Sequence, residues 1–286
     1  MNDYQQTLAK ATVLTGTGIH SGKKFTIEIH PAPPNHGIMF RRTDLPGTGS
    51  ITALFSKIVD TSLATVIGQD GFIISTVEHL LATFTGMQID NARVDVSGHE
   101  IPIMDGSALP FVTAFQKTGV VAQKVPRHYL KVLQPIELEE NGKRVGLYPY
   151  DGFRVSCEID FPQDSIGRQK VVFTLEDHQF ETNIAGARTF GFYEDAIKLQ
   201  QLGLASGGAL NHCIIIKDNA VMNPEGLRWP DEFVRHKALD CIGDFSLLGL
   251  PVLGSFVAVR SGHSFNHAFL QKFLASKAHW KTVTLA

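Results

Sequence analysis

Short apolar runs, each cut off by Gly, Pro or Asn, dominate the first 125 residues. The runs at 12–15, 25–30 and 37–40 are rich in β-branched and aromatic residues, a pattern that predicts strands. The rhythm changes at Ser75. Ser75-x-x-Glu78 reads as a capping box ahead of the apolar run Leu80-Leu81-Ala82, so a helix is expected there. Residues 92–96 alternate apolar and polar, the mark of a strand with one buried face. A second helix is predicted over 110–118, introduced by Asp105-Gly106-Ser107. Val125-Pro126-Arg127 reads as a boundary, because the strand pattern starts again beyond it. Strands are expected at 129–138, 144–150, 154–161, 170–173, 213–216 and 254–259. Helices are expected at 191–202, 230–247 and 264–277, the middle one opened by Pro230-Asp231-Glu232.

The two halves echo each other. In each, a helix carrying a His leads through a Gly-containing turn into a strand: compare 78–96 with 235–259. The echo predicts a duplicated α+β unit, with two domains at 1–125 and 128–286 and their sheets and helical layers face to face. A chain of 286 residues with 43% hydrophobic content has enough material for two such cores. The formal charge is −2, so no global field points to nucleic acid, and pairs such as Lys23-Lys24 and Arg41-Arg42 read as solvated turns. Cys157, Cys213 and Cys241 are odd in number, without paired spacing, which fits buried thiols in a reducing cytoplasm better than a disulfide framework. The N-terminus lacks a signal pattern, and no apolar run reaches the ~18 residues of a membrane span. A soluble, cytoplasmic monomer is expected.

The candidate chemistry is a split set of metal-ligand residues. His236 and Asp240 are spaced i, i+4, so a helix places them on one face, where they can grip one ion. His79 would be a third ligand from far away in sequence. Two His and one carboxylate make an open zinc site with a position left for water, and Glu78 is the residue type to take a proton from that water. Each signal has a bland reading. Glu78 could simply close the capping box, a lone His is ordinarily structural, and H-x-x-x-D is ordinarily a surface ion pair. H-E-x-x-H is absent, and Ser75 stands where H-x-x-E-H would need His, which disfavours the standard zinc peptidases. The company strengthens the metal reading. Lys237 can meet an anionic group, Asp244 lies one turn past Asp240, and His263 lies between a strand and a helix. Asp244 and His263 could form an acid–base pair. The residues by themselves lead to a metal hydrolase of two α+β domains, substrate open.

Seven segments carry a closer resemblance: G-I-H-S-G-K-K from Gly18, G-I-M-F-R-R-T-D-L from Gly37, S-T-V-E-H-L-L-A from Ser75, I-P-I-M-D-G-S-A from Ile101, A-R-T-F-G-F from Ala187, D-E-F-V-R-H-K-A-L-D-C-I-G-D from Asp231 and S-G-H-S-F-N-H from Ser261. They resemble the UDP-3-O-acyl-N-acetylglucosamine deacetylases, which carry out the committed step of lipid A synthesis in Gram-negative bacteria. The resemblance runs in order from about Thr12 to His267. It implies two layered α/β sandwiches with the active site between them. It implies Zn²⁺ held by His79, His236 and Asp240, with Glu78 as general base, His263 as general acid, Asp244 orienting His263, and Thr189 stabilising an oxyanion. It places Phe190 and Phe192 at the mouth of an acyl passage in an insert around 189–215, lined further on by Ala205, Cys213 and Ile215. Lys237 would meet the phosphates, and Lys143, Asp160 and Phe161 the uridine-diphosphate region. Ala64 stands where some members have Cys, a position the mechanism does not need. No fused second enzyme is expected after the last helix. Two alternatives stay open: a catalytically silent module binding acylated sugar nucleotides, and a zinc amidase for another N-acyl sugar or a peptide.

Overall fold

A computed structural model describes residues 2–176, 178–201, 206–208 and 210–285. The first half runs β1 (Tyr4–Leu8), β2 (Thr12–Thr17), β3 (Lys24–Pro31), β4 (Ile38–Arg42), β5 (Ser50–Thr52), β6 (Ile58–Asp60), β7 (Val66–Gln69), β8 (Phe72–Ile74), α1 (Glu78–Gly86), β9 (Ala92–Val96), α2 (Leu109–Thr118) and β10 (Val120–Pro126). The second runs β11 (His128–Val132), β12 (Ile136–Glu140), β13 (Lys143–Tyr148), β14 (Phe153–Asp160), β15 (Arg168–Thr174), α3 (Gln179–Asn183), β16 (Phe190–Phe192), α4 (Tyr193–Gln201), β17 (Ile214–Lys217), β18 (Ala220–Val221), α5 (Glu232–Ser246), β19 (Val252–Val259), α6 (His263–Ala275) and β20 (Trp280–Thr284). The fold is α+β, as expected.

The echo in the sequence becomes a repeat in topology. One sheet has the order β2-β3-β9-β4-β5, and the other contains β12-β13-β19-β14-β15. In each, the strand that follows the His-bearing helix slots between two hairpins. It lies antiparallel to one neighbour (β3 or β13) and parallel to the other (β4 or β14). The second sheet is widened by β11 and β20, which pair antiparallel with each other. Alternation then decides what faces inward. Phe25, Ile27 and Ile29 of β3 point to one core, and Val155, Cys157 and Ile159 of β14 to the other.

Helices α1 and α5 pack against each other between these sheets. Their side chains interlock the two cores. Ala82 of α1 packs in the core of the second half, and Leu247, just past α5, in the core of the first. The two helices come very close at Gly243, where an added Cβ would sit 2.1 Å from the Glu78 carbonyl oxygen. Such an approach is open to Gly alone.

Several local expectations differ from the structure. Ser75 caps no helix. It bridges to Glu100, donates its backbone N–H to the His99 carbonyl at 2.8 Å, and is turned away from α1 by the left-handed Thr76 (φ 59°). The helix starts at Glu78 behind Val77, which leaves the Glu78 carboxyl free for other work. The single strand expected at 129–138 is two. Leu133 and Gln134 donate to the His279 carbonyl, and Pro135 interrupts the ladder. The helix expected at 191–202 is preceded by a strand through Phe192 and runs to Gln201, and residue 202 lies outside the described residues. Val125-Pro126-Arg127 is anchored. Tyr4 pairs with Pro126, and the buried Arg127 guanidinium donates to Asp90 at 2.7 Å and Gln88 at 3.0 Å.

Gly243→Ala tests the crossing. At a relaxed helical site Ala would stabilise by roughly 1 kcal/mol. Here the steric conflict should dominate and cost about 1–3 kcal/mol or more, lowering Tm by several degrees. A thermal melt with an unchanged or higher Tm would show that the helices separate without penalty.

Candidate active site

The i, i+4 spacing on α5 and the first turn of α1 bring three buried side chains together. The ligand atoms of His79, His236 and Asp240 all lie within 4.8 Å of one another. His236 Nε2 is 3.3 Å and His79 Nε2 3.5 Å from the same Asp240 oxygen. The two rings meet edge to face, centroids 5.0 Å apart. The Ala187 carbonyl lies 3.0 Å from His236 Nδ1 and accepts its hydrogen, which leaves the Nε2 lone pair facing Asp240. Burial pulls the His236 pKa down to about 3 against the attraction of Asp240, so the ring is neutral, the form that binds metal. Asp240 stays ionised. Burial opposes this, but the charge of Lys237 and the hydrogen bond from His79 hold its pKa well below the usual range. Among the described residues, buried His79 Nδ1 has no hydrogen-bond partner. Two imidazole nitrogens converging on one buried carboxylate are the donor set of a divalent-cation site.

Beside the trio sits an acid–base group. Glu78 is 4% exposed. Burial raises its pKa, countered by His263 and His79. Its Oε2 accepts the Thr65 backbone N–H at 3.1 Å, and its Oε1 lies 4.0 Å from His263 Nε2. On its other side His263 Nδ1 lies 2.9 and 3.1 Å from the two oxygens of Asp244. Burial by itself would pull the imidazolium pKa down, but Asp244 and then Glu78 outweigh it and push the value up to about 10. His263 is therefore a retained proton carrier aimed at Glu78. Asp244 is locked in turn by Thr65 Oγ1 at 2.6 Å and Asn266 Nδ2 at 2.7 Å.

These groups open on a cavity of about 380 Å³ whose walls include His20, Thr189, Phe190, Lys237 and Lys143. Lys237 donates to the second Asp240 oxygen at 2.9 Å, and Asp240 keeps it charged against its burial. Thr189 is fixed by its backbone, bonded to Gly106 and Ile214. Phe190 begins an aromatic line leading away. Its ring centroid lies 6.3 Å from His236, 4.9 Å from Phe233 and 5.7 Å from Phe161, which in turn lies 6.2 Å from Phe192. Phe161 thus stands among the aromatic side chains. Asp160, at the exposed end of β14, does not line the cavity. Ile215 sits on β17 in register with Gly191 of β16, with the buried Cys213 just ahead of it. Burial raises the Cys213 thiol to about 11. Ala205 lies outside the described residues.

Two anchors escaped the sequence reading. The buried Arg188 guanidinium is bidentate to Glu232 at 2.8 and 3.1 Å, which clamps Ala187 and Thr189 to the first turn of α5. The only hint was an Arg amid apolar residues of A-R-T-F-G-F and an acid at the helix start. Thr65 had no signal, because its partners lie 13, 179 and 198 residues away.

A family model described as UDP-3-O-acyl N-acetylglycosamine deacetylase matches residues 5–275. Three similar proteins all carry the name UDP-3-O-acyl-N-acetylglucosamine deacetylase. One from Myxococcus xanthus is 47% identical over 279 residues, 98% of this chain and 89% of that protein. One from Syntrophotalea carbinolica is 44% identical over 280 residues, 98% and 91% of the two chains. One from Neisseria meningitidis serogroup B is 44% identical over 287 residues, 99% and 94%.

The electrostatics predict opposite pH signs for two histidines of the metal-free protein. The folded pKa of His263, about 10, lies above its ordinary 6.5. Its stabilisation is complete below pH 6.5 and is lost as pH rises through about 10. His236 falls from 6.5 to about 3, so its contribution is present above pH 6.5 and lost as pH drops toward 3. Asp244→Asn should return His263 toward 6.5 in an imidazole NMR titration. An unmoved titration would remove Asp244 as the source.

Proposed function

The chain belongs to the UDP-3-O-acyl-N-acetylglucosamine deacetylase family, and on that premise we propose that it hydrolyses the acetamide of UDP-3-O-acyl-N-acetylglucosamine at the site between α1 and α5. The products are acetate and UDP-3-O-acyl-glucosamine, and the reaction is the committed step of lipid A biosynthesis. The observation that carries this reading is the convergence of His79, His236 and Asp240 within 4.8 Å, next to Glu78 and His263. Two imidazoles and one carboxylate suit Zn²⁺. When bound, the ion supplies Lewis acidity and lowers the pKa of a coordinated water from ~15.7 toward ~7.

The residues then have separate tasks. Glu78, its pKa raised by burial, takes the proton from water as oxygen attacks the acetamide carbonyl. The Thr189 hydroxyl donates to the oxyanion, a contribution of roughly 10²–10³ in rate. An amide nitrogen leaves only as an amine, so a proton must reach it. His263 supplies that proton from Nε2 while Asp244 holds Nδ1. General acid–base steps of this kind each contribute roughly 10²–10⁴.

Lys237 and Lys143 bring positive charge to the diphosphate, with Asp160 and Phe161 toward the uridine. The line of Phe190 and Phe192, continued by Cys213 and Ile215, takes the acyl chain in the insert around 189–215. The halves 1–125 and 128–286 act as the two lobes of a monomer working in the cytoplasm. Among the described residues no helix is long and apolar enough to cross a membrane.

Acetate release from UDP-3-O-acyl-N-acetylglucosamine should vanish with a chelator and return with Zn²⁺. Glu78→Ala and His263→Ala should keep the metal and lose roughly 10²–10⁴ in kcat. Asp240→Ala should lose the metal itself. Full turnover in stripped protein, or in Glu78→Ala, would sink the scheme.

A further inference from the structure

We infer that Thr65 is a positioning residue that holds the general base and the general acid in one frame. The inference rests on the deacetylase reading above. Thr65 is 1% exposed and lies just before β7 in the first half. Its backbone grips the start of α1 from both sides. Its N–H donates to Glu78 Oε2 at 3.1 Å, and its carbonyl accepts from Val77 N–H at 3.3 Å. Its side chain reaches across to the second half. Oγ1 lies 2.6 Å from Asp244 Oδ1 on α5 and 3.3 Å from His263 Nδ1 at the start of α6.

Hydrogen counting fixes the directions. An ionised carboxylate only accepts, so the hydroxyl hydrogen goes to Asp244. The hydroxyl lone pairs are then what His263 meets, alongside both Asp244 oxygens. Every neighbour of Nδ1 in this group is therefore an acceptor, which places a hydrogen on Nδ1 and directs Nε2 toward Glu78, 4.0 Å away. Thr65 on one carboxylate oxygen and Asn266 on the other stop Asp244 from rotating. One β-branched residue, stiff about χ1, thereby sets both the position of Glu78 and the plane of the Asp244–His263 pair. A Ser would keep the hydroxyl. A Val would keep the shape and lose it.

The test is a double-mutant cycle in the zinc-loaded enzyme, with metal content and Tm measured for each variant. Thr65→Val should lower kcat roughly 10- to 100-fold with KM and metal content unchanged, the usual effect of removing a hydrogen bond to a charged group. Thr65→Ser should restore most of kcat. Combined with His263→Ala, Thr65→Val should cost almost nothing further, because the group it serves is gone. Should Thr65→Val not fold, Thr65→Ala replaces it in the same cycle. Equal, additive loss in both backgrounds, or a Ser variant as poor as Val, would overturn the inference and leave Thr65 a structural hydrogen bond. Full activity of His263→Ala alone would instead overturn the acid role assigned to His263.

Discussion

Everything at the site depends on how closely α5 can approach α1. At Gly243 the backbone of one helix rests on the Glu78 carbonyl of the other, with no room for a side chain. That contact sets the distance between two helices from opposite halves of the chain. With the crossing fixed, His79 reaches Asp240 at 3.5 Å, and Glu78 comes within 4.0 Å of His263. A separation wider by the length of a methyl group would spread the donor atoms beyond the reach of one ion. The exchange of Ala82 and Leu247 between the cores makes the crossing rigid, since neither core is complete without the other half's helix.

The same closeness creates an electrostatic problem. Glu78, Asp240 and Asp244 are all buried, and Lys237 and the protonated His263 supply two compensating charges. Counting all three carboxylates as ionised, these groups sum to 2 − 3 = −1, and the neutral His236 adds nothing. Burial of unpaired negative charge is costly, and here it shows as the raised pKa of Glu78. A divalent cation at the His79–His236–Asp240 trio would turn the sum positive and relieve it.

Duplication explains how such a site arises from two modest halves. In each sheet the strand after the His-bearing helix slots between two hairpins, so α1 and α5 occupy equivalent places. Packing the two units face to face puts those helices side by side. The halves have diverged in what they add. The second inserts β16, α4 and β17, and with them the aromatic line from Phe190 to Phe192.

The sequence by itself determined most elements and the ligand spacing on α5, because both are local. Alternation decides which side chains of β9 and β14 face the core, and i, i+4 decides that His236 and Asp240 share a helix face. It misjudged Ser75, since a capping box is ambiguous until the φ of Thr76 is known. It did not show the final strand 280–284, whose ladder partner β11 is about 150 residues upstream. The motif segments carried the family and with it the candidate catalytic residues, though not their distances. Only the tertiary structure decided that Thr65 ties Glu78 to Asp244, that Arg188 clamps Ala187 and Thr189 to α5, and that Phe161 joins the aromatic line. Those contacts join residues far apart in the chain, and no local pattern encodes a hydrogen bond whose partner is set by the packing of two separate sheets.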